Sequence, residues 1–239
     1  MSDTEDKEES LVSHIEALRT TLIKCFVSVG IVLPFAFYFS PKALNFMIKI
    51  LISDNKITLN YFAPMEIFVL QIKLALLIAI TLVFPYIVKN LWDFVVPALY
   101  EHERKLIRST IVISSCLFIS GIIFCLFFIL PLIINFGISF GNSQISPVWG
   151  VSNLMNLSLT LAFTFGLMFQ VPLITHALIR LGVISHEAVS SKRRYVIVIL
   201  LIVSALLTPP DIVSQILMFI PTYLLFELGL LFSKKRESK

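Results

Sequence analysis

The chain has 239 residues, of which 57% are hydrophobic and only 14% are charged, and its mean hydropathy is +0.92. Soluble domains are about 45–50% apolar and about 25% charged, so this composition excludes a water-soluble domain and predicts an integral membrane protein. The pI of about 9.0 comes from basic residues in short segments beside apolar runs. That pattern is typical of membrane topology and not of nucleic-acid binding.

The first 24 residues predict a cytosolic tail followed by an amphipathic helix. The acidic start, MSDTEDKEES, is unlike a cleavable signal peptide, and we expect it to be disordered to about Glu9. Residues 11–24 repeat apolar side chains at helical spacing, which predicts a helix on the bilayer surface. A first transmembrane helix is predicted at 25–39, followed by an outer loop over 41–61 that contains a short interfacial helix.

Three further transmembrane helices are predicted at 66–88, 107–130 and 154–179. Glu66 suits the first turn of its helix, since a carboxylate is favourable there. Proline disrupts helices, so Pro131 is expected to end the third helix and Pro172 to break the fourth. A polar hinge, 92–108, separates the second helix from the third.

The last two predicted transmembrane helices, 195–207 and 212–232, are joined by a four-residue turn, TPPD at 208–211. The first is about 20 Å long, and about 22 Å of the second precedes Glu227, by the helical rise. A bilayer core is about 30 Å thick, so both helices are predicted to be short. Either this hairpin thins the bilayer locally, or its polar residues are buried within the bundle.

Together these elements predict an all-α integral membrane protein, a single polytopic membrane domain over residues 1–239 with six transmembrane helices. Six spans place both termini on one side, and 15 of the 19 Lys and Arg residues fall on that side. Because positive residues accumulate on the cytoplasmic side, we expect both termini to be cytoplasmic.

The hinge carries ionisable side chains at five consecutive positions, EHERK at 101–105. Charges in so apolar a chain must lie in water or at the membrane surface. One interpretation is that the carboxylates of Glu101 and Glu103 face the cytosol and bind a cationic ligand. The other is a solvated loop whose Arg104 and Lys105 only fix the topology.

Polar residues in the predicted transmembrane segments are candidate functional groups because they are costly there. Gln170 falls near the midplane, about 15 Å from Arg180, where its amide bonds either another protein's helix or a neighbour in the bundle. Glu227 lies about 10 Å from Lys234 and is either a buried acid or a partner of the basic tail. Asp211 precedes a helix and suits a helix cap.

We predict no enzyme active site, metal site or cofactor. The four histidines are scattered, the three cysteines form no CxxC pair, and there is no glycine-rich phosphate loop. The alternative function is a small-solute or ion transporter with Gln170 and Glu227 as pathway groups. Such a protein should carry charge at the midplane, where this chain has the neutral Gln170, and it usually shows an internal repeat that is not visible here.

Five segments, in order along nearly the whole chain, match a known family. They are SHIEALR at 13–19, FVVPALYEHERK at 94–105, FGLMFQVPL at 165–173, KRRYVIV at 192–198 and LLTPPDIVSQILMFIPTYLLFELG at 206–229. On these residues the chain resembles the TatC family, the multi-spanning receptor subunits of the twin-arginine protein translocase. The resemblance implies six spans, cytoplasmic termini, a short final hairpin and a place in the bacterial cytoplasmic (inner) membrane.

The resemblance also implies the function. Such proteins bind the twin-arginine signal peptides of folded precursors at the cytosolic face. They then assemble with single-span TatA and TatB-like proteins, and with copies of themselves, for export driven by the proton gradient. These proteins lie in the lipid bilayer, and the resemblance implies neither a cofactor nor a nucleic acid.

The implied signal-peptide site is centred on Glu103, which stands at the family's signal-binding glutamate in the hinge. Two guanidinium groups favour carboxylates that they can bind in bidentate fashion. Phe94 and Pro97 would hold the hinge, and the concave bundle would accept the signal's apolar segment. Glu16 and Arg19 belong to the N-terminal part of the implied site.

Two positions depart from the family pattern. The family's N-terminal motif usually reads His-Leu-x-Glu-Leu-Arg, whereas Glu16 comes one residue early, which rotates it about 100° on a helix. Glu101 could take its place. The family's membrane glutamate before Val-Pro is Gln170 here, and an amide can form hydrogen bonds but cannot titrate. The polar residues implied in docking a TatA or TatB helix are Gln170, Thr208, Asp211, Gln215 and Glu227.

Overall fold

The computed structural model describes residues 2–52, 59–95, 104–139, 148–180, 184–207 and 212–237, and these are almost entirely helical. In chain order, the elements are α1 (Ser2–Ile52), β1 (Leu59–Asn60), α2 (Glu66–Val95), α3 (Arg104–Phe124), a π-helical turn (Cys125–Ile129), α4 (Leu130–Ser139), β2 (Trp149–Gly150), α5 (Val151–Met168), α6 (Val171–Arg180), α7 (His186–Ser191), α8 (Arg193–Leu207) and α9 (Ile212–Glu237).

Helix α1 is far longer than the sequence predicts. It begins at Ser2, so the acidic tail expected to be disordered is helical, and it passes through Pro41, where a loop was expected. Proline lacks an N–H and so leaves the carbonyl four residues earlier without its helical partner. The Ser40 hydroxyl donates a hydrogen bond of 2.8 Å to that carbonyl, on Phe37, which explains why the helix continues.

The segment after Pro41 is therefore not a separate interfacial helix. Its apolar face was predicted correctly, but this face lies in the protein core and not on the membrane surface. Leu44, Met47 and Leu51 are buried in the largest core cluster, together with residues of α2, α4 and α5. Burial inside the bundle removes the reason for the segment to leave the helix and lie flat.

The third predicted helix does not end at Pro131. Helix α3, the π-helical turn and α4 follow one another without a break from Arg104 to Ser139. In the π-helical turn, the Leu130 N–H bonds the Cys125 carbonyl five residues earlier. The wider turn immediately before Pro131 relieves the clash between its ring and the preceding turn, so the helix tolerates the proline.

The fourth predicted helix is broken, as predicted, just before Pro172. Helix α5 ends at Met168 and α6 begins at Val171, with a turn at Phe169 and Gln170. The backbone of this turn is satisfied, since the Gln170 N–H bonds the Leu167 carbonyl at 3.0 Å. Pro172 sits in the first turn of α6, where its missing N–H costs little.

The prediction that the last two helices are both short is correct for one of them only. Helix α8 has 15 residues, or about 22 Å. Helix α9 has 26 residues and continues past Glu227, where its apolar part was expected to end. The carboxylate of Glu227 forms an ion pair with Arg193 of α8. Because its charge is compensated in this way, the helix can continue past it. The turn 208–211 lies outside the described residues.

Five stretches within the described residues are long and apolar enough to cross a membrane: Ile15–Leu51, Glu66–Phe94, Ser109–Ser139, Val151–Ile179 and Ile212–Leu231. Helix α8 is the further apolar helix predicted to span, and at about 22 Å it is shorter than a bilayer core of about 30 Å. The cytoplasmic placement of the termini stays a prediction.

The carboxylate of Glu66 joins the N-terminal ends of α2 and α5. Glu66 accepts hydrogen bonds from the N–H groups of Phe62 (2.7 Å) and Ala63 (3.2 Å) with one oxygen, and from the Ser152 N–H (3.0 Å) with the other. The predicted place of Glu66 in the first turn of α2 is confirmed. Strands β1 and β2 pair in parallel beside it, with Leu59 opposite Trp149. Glu66 thus fastens the start of α2 to the start of α5.

Glycines let α3 and α5 approach closely. A Cβ atom placed on Gly121 would lie 2.5 Å from the Phe165 carbonyl oxygen, and one on Gly166 would lie 2.7 Å from the Phe118 ring. The ring of Phe118 stacks on Phe84 of α2, with 3.9 Å between the ring centroids. Helices α2, α3 and α5 are therefore locked together at one level of the bundle.

Replacing Gly121 by alanine should destabilise the protein, because the added methyl group meets backbone that cannot rotate away. Overpacking of this kind costs about 1–3 kcal/mol. In a chain of this size each kcal/mol lowers the melting temperature by about 2–4 °C. Thermal unfolding of the purified protein in detergent measures the change.

Gly30→Ala is the matched control, because a Cβ atom there has nothing within 4 Å. Alanine favours a helix over glycine, so this control should melt at the same temperature as the parent or slightly above it. Equal melting temperatures for the two variants would show that α3 and α5 are not in close contact at Gly121.

Candidate functional site

An apolar groove of about 580 Å³ lies between α2, α3 and the α5–α6 break. Its lining residues are Phe84, Ile87, Val88, Leu91, Trp92, Ser114, Leu167, Gln170, Leu173, Ile174, Ala177 and Leu178. Along α2 it extends from Phe84 to Trp92, about 12 Å by the helical rise. The break before Pro172 forms part of the groove wall, because Leu167 and Gln170 before it and Leu173 after it line the groove.

The groove floor holds two polar side chains that bind one another. The Ser114 hydroxyl donates to the Gln170 Oε1 at 2.5 Å. The Gln170 Nε2 donates to the Ser114 carbonyl at 3.1 Å and to the Gly166 carbonyl at 3.4 Å. Gln170 is 8% exposed and Ser114 is 2% exposed. The Gln170 amide thus forms hydrogen bonds with polar groups at the helix break, and it does so without carrying a charge.

The hydrogen bonds of Gln170 show the internal contact that the sequence offered as one of two interpretations. Its oxygen and both of its N–H hydrogens are directed to groups of the same chain, on α3 and α5. Gln170 is therefore an internal contact of the bundle that also forms the groove floor. A partner helix could use the amide only by exchanging these bonds.

The groove reaches the first residue of the hinge. Trp92 lines the groove, and Phe94 is half-buried in the last turn of α2. The other predicted hinge residues, Pro97, Glu101 and Glu103, lie outside the described residues. They connect the end of α2 to the start of α3, and both of these helices contribute to the groove wall.

Glu16 and Arg19 lie one turn apart on α1, and both are exposed. Their carboxylate and guanidinium groups are accessible from solvent or from a headgroup layer.

Glu227 joins α9 to α8. Its carboxylate forms an ion pair of 3.3 Å with Arg193 and accepts a hydrogen bond of 2.9 Å from the Tyr223 hydroxyl. The sequence predicted that Glu227 is either a buried acid or a partner of the basic tail. The structure corrects this prediction, because the described partner is Arg193. This residue starts α8 and so lies opposite Glu227 in the antiparallel hairpin.

The remaining predicted docking residues belong to the same hairpin. The Gln215 Nε2 donates to the Leu201 carbonyl at 3.2 Å and so ties α9 to α8 a second time. Thr208 and Asp211 lie outside the described residues. The described residues contain no cluster of three or more metal-ligating side chains.

Sequence reasoning missed Ser114 and the pairing of Arg193. A serine in an apolar helix is common and gives no sign of a partner 56 residues away. Arg193 lies within the matched segment KRRYVIV at 192–198. It is too far from Glu227 in sequence for a helical spacing to indicate the pair.

Comparisons with known proteins agree along nearly the whole chain. The family model described as Sec-independent protein translocase protein (TatC) matches residues 13–221. The TatC protein of Haemophilus influenzae is 33% identical over 98% of this chain and 92% of its own length. That of Escherichia coli K12 is 32% identical over 95% of this chain and 88% of its own length. A crystal structure of the twin arginine translocase receptor TatC superposes with a TM-score of 0.82 at 31% identity, over 92% of this chain and 98% of that one.

Replacing Ser114 by alanine should destabilise the protein, because the buried Gln170 oxygen loses its donor. An unsatisfied buried polar group costs about 1–3 kcal/mol. Ser120→Ala, one and a half turns further along α3, is the control, since that exposed hydroxyl bonds only the Leu117 carbonyl of its own helix. Thermal unfolding should separate the two variants, and an equal loss would show that the hydrogen bond to Gln170 contributes nothing.

Proposed function

Because the chain belongs to the TatC family of Sec-independent protein translocase proteins, we propose that it is the receptor subunit that binds twin-arginine signal peptides of folded precursors at the cytosolic face. It is a multi-pass protein of the bacterial inner membrane and a translocase component, not an enzyme. The observation that carries the proposal is an apolar groove whose lining reaches Trp92, the first residue of the hinge.

The first step of recognition is electrostatic. Two neighbouring arginines present planar guanidinium groups, which bind carboxylates in bidentate fashion and more strongly than lysine does. Glu103 is the principal acid, and Glu101 and Glu16 are its neighbours in the proposed site. Phe94 and Pro97 hold the hinge, and Arg19 holds the N-terminal part of the site.

The second step places the signal's apolar segment in the groove. The groove volume of about 580 Å³ lies within the range of ligand sites, about 300–1,000 Å³. Its walls are aliphatic and aromatic, and its polar floor groups are already bonded to each other. An apolar segment therefore enters without leaving a buried polar group unsatisfied.

The third step is assembly with single-span TatA and TatB-like partners and with further copies of the chain. The α8–α9 hairpin supports this proposal. Its polar contacts, through Gln215 and Glu227, bind the two helices to each other. Apolar side chains such as Ile199, Ile202 and Ile216 face outward on the same hairpin. The short α8 allows a thinned bilayer and a tightly packed partner helix.

Glu103→Ala should abolish binding of a twin-arginine precursor, because the guanidinium pair loses its carboxylate. Photocrosslinking from the hinge in native membranes measures this with two precursors, one carrying Arg-Arg and one carrying Lys-Lys. Lysine keeps the charge but lacks the planar fork, so only the Arg-Arg precursor should crosslink. Glu16→Gln should weaken crosslinking less than Glu103→Ala.

Asp93→Ala is the control, because Asp93 is an exposed acid in the last turn of α2. It should leave crosslinking unchanged. Equal crosslinking of the two precursors would reduce the hinge to a generic acidic surface, and retained binding by Glu103→Ala would remove Glu103 from the site.

Filling the groove should separate the second step from the first. Ala177 lines the groove, and Ala177→Phe places a ring in the space proposed for the apolar segment. Crosslinks from Leu173 deep in the groove should disappear, while crosslinks from the hinge persist. Ala205→Phe adds the same ring at an exposed position of α8 and should change neither. Persistent deep crosslinks in Ala177→Phe would place the segment elsewhere.

A further inference from the structure

A ladder of polar groups descends from the start of α2 and α5 into the apolar part of the bundle. We call Glu66, Ser152, Asn156 and Lys73 the polar ladder. Lys73 donates to the Asn156 Oδ1 at 2.7 Å, Asn156 donates to the Ser152 hydroxyl at 3.1 Å, and the Ser152 N–H bonds Glu66 at 3.0 Å. Its foot, Lys73, lies about 10 Å along α2 from Glu66.

The charge at the foot is not neutralised within the described residues. Asn156 offers a neutral amide oxygen, and no described carboxylate forms an ion pair with Lys73. Glu66 is the nearby acid of the ladder, and its oxygens accept the backbone N–H groups of Phe62, Ala63 and Ser152. An ammonium group has three donors, so two remain after the bond to Asn156.

The surroundings of Lys73 are those of a lipid-facing surface. Lys73 is exposed, and its neighbours on the same side of α2 are the exposed residues Val69, Ile72 and Leu76. A cation among apolar side chains is costly unless an anion meets it or it reaches the headgroup layer. The bond to Asn156 holds the ammonium toward the nearer end of the bundle and fixes its position between α2 and α5.

We propose that Lys73 and Asn156 form a binding site for the phosphate headgroup of an anionic phospholipid, in the leaflet that surrounds the start of α2 and α5. The two remaining lysine donors bind phosphate oxygens, and the acyl chains run from there toward the midplane along the exposed side chain of Leu76. Opposite charge identifies this ligand, since lipid phosphate is the anion that a bilayer supplies. The site is independent of signal-peptide binding.

Native mass spectrometry of the purified full chain tests the site with dioleoyl phosphatidylglycerol and dioleoyl phosphatidylethanolamine. The parent protein should bind phosphatidylglycerol preferentially. Lys73→Gln should lower its bound fraction about fivefold, the effect of one basic residue near an anionic surface. Lys73→Arg should retain binding, and Asn156→Ala, which keeps the charge but removes its anchor, should fall between.

Lys49→Gln is the matched control, because Lys49 is an exposed lysine in the last turn of α1. It should bind phosphatidylglycerol as the parent does. Equal binding of the two lipids, unchanged binding by Lys73→Gln, or equal losses in both glutamine variants would overturn the proposal. A parent protein that binds no phosphatidylglycerol would also overturn it and would leave an acidic partner protein as the counter-charge. Melting temperatures show whether each variant is folded.

Discussion

The structure depends on one constraint, which is that a polar group removed from water must find a partner inside the bundle. The interruption before Pro172 leaves backbone groups that an apolar environment cannot satisfy. Gln170 lies at that interruption, and its amide bonds Ser114 of α3 and the Gly166 carbonyl of α5. The helix is therefore interrupted here without leaving these groups unsatisfied, and residues on both sides of the interruption line the groove.

Apolar periodicity predicted most of the fold, because period and composition are local properties of the chain. It predicted helices throughout, the start of α2 at Glu66 and the break before Pro172. It was wrong at Pro41 and Pro131, and in each case a particular contact overrides the local signal. These contacts are the hydroxyl of the residue before Pro41 and the π-helical turn before Pro131.

The candidate site was predictable in its chemistry but not in its partners. An amide near the midplane had to form hydrogen bonds, and Gln170 does so, yet nothing in the sequence indicates that Ser114 is the group it meets. The groove likewise depends on how α2 and α3 pack against the distant α5–α6 break. It also depends on glycines such as Gly121, whose role is visible only from the atoms they contact. The acid of the hinge, Glu103, stays a prediction from motif and charge.

The distribution of charge along the groove bears on how the proposed function would work. In the proposed site the acids belong to the hinge, while Gln170 in the groove is neutral where the resemblance implies a glutamate. A carboxylate at the floor would have to be desolvated or protonated when an apolar segment displaced water from the groove. The neutral amide already has its hydrogen bonds and adds no such cost. In the proposed function, charge would therefore select a ligand at the hinge, and burial of apolar surface alone would hold it in the groove.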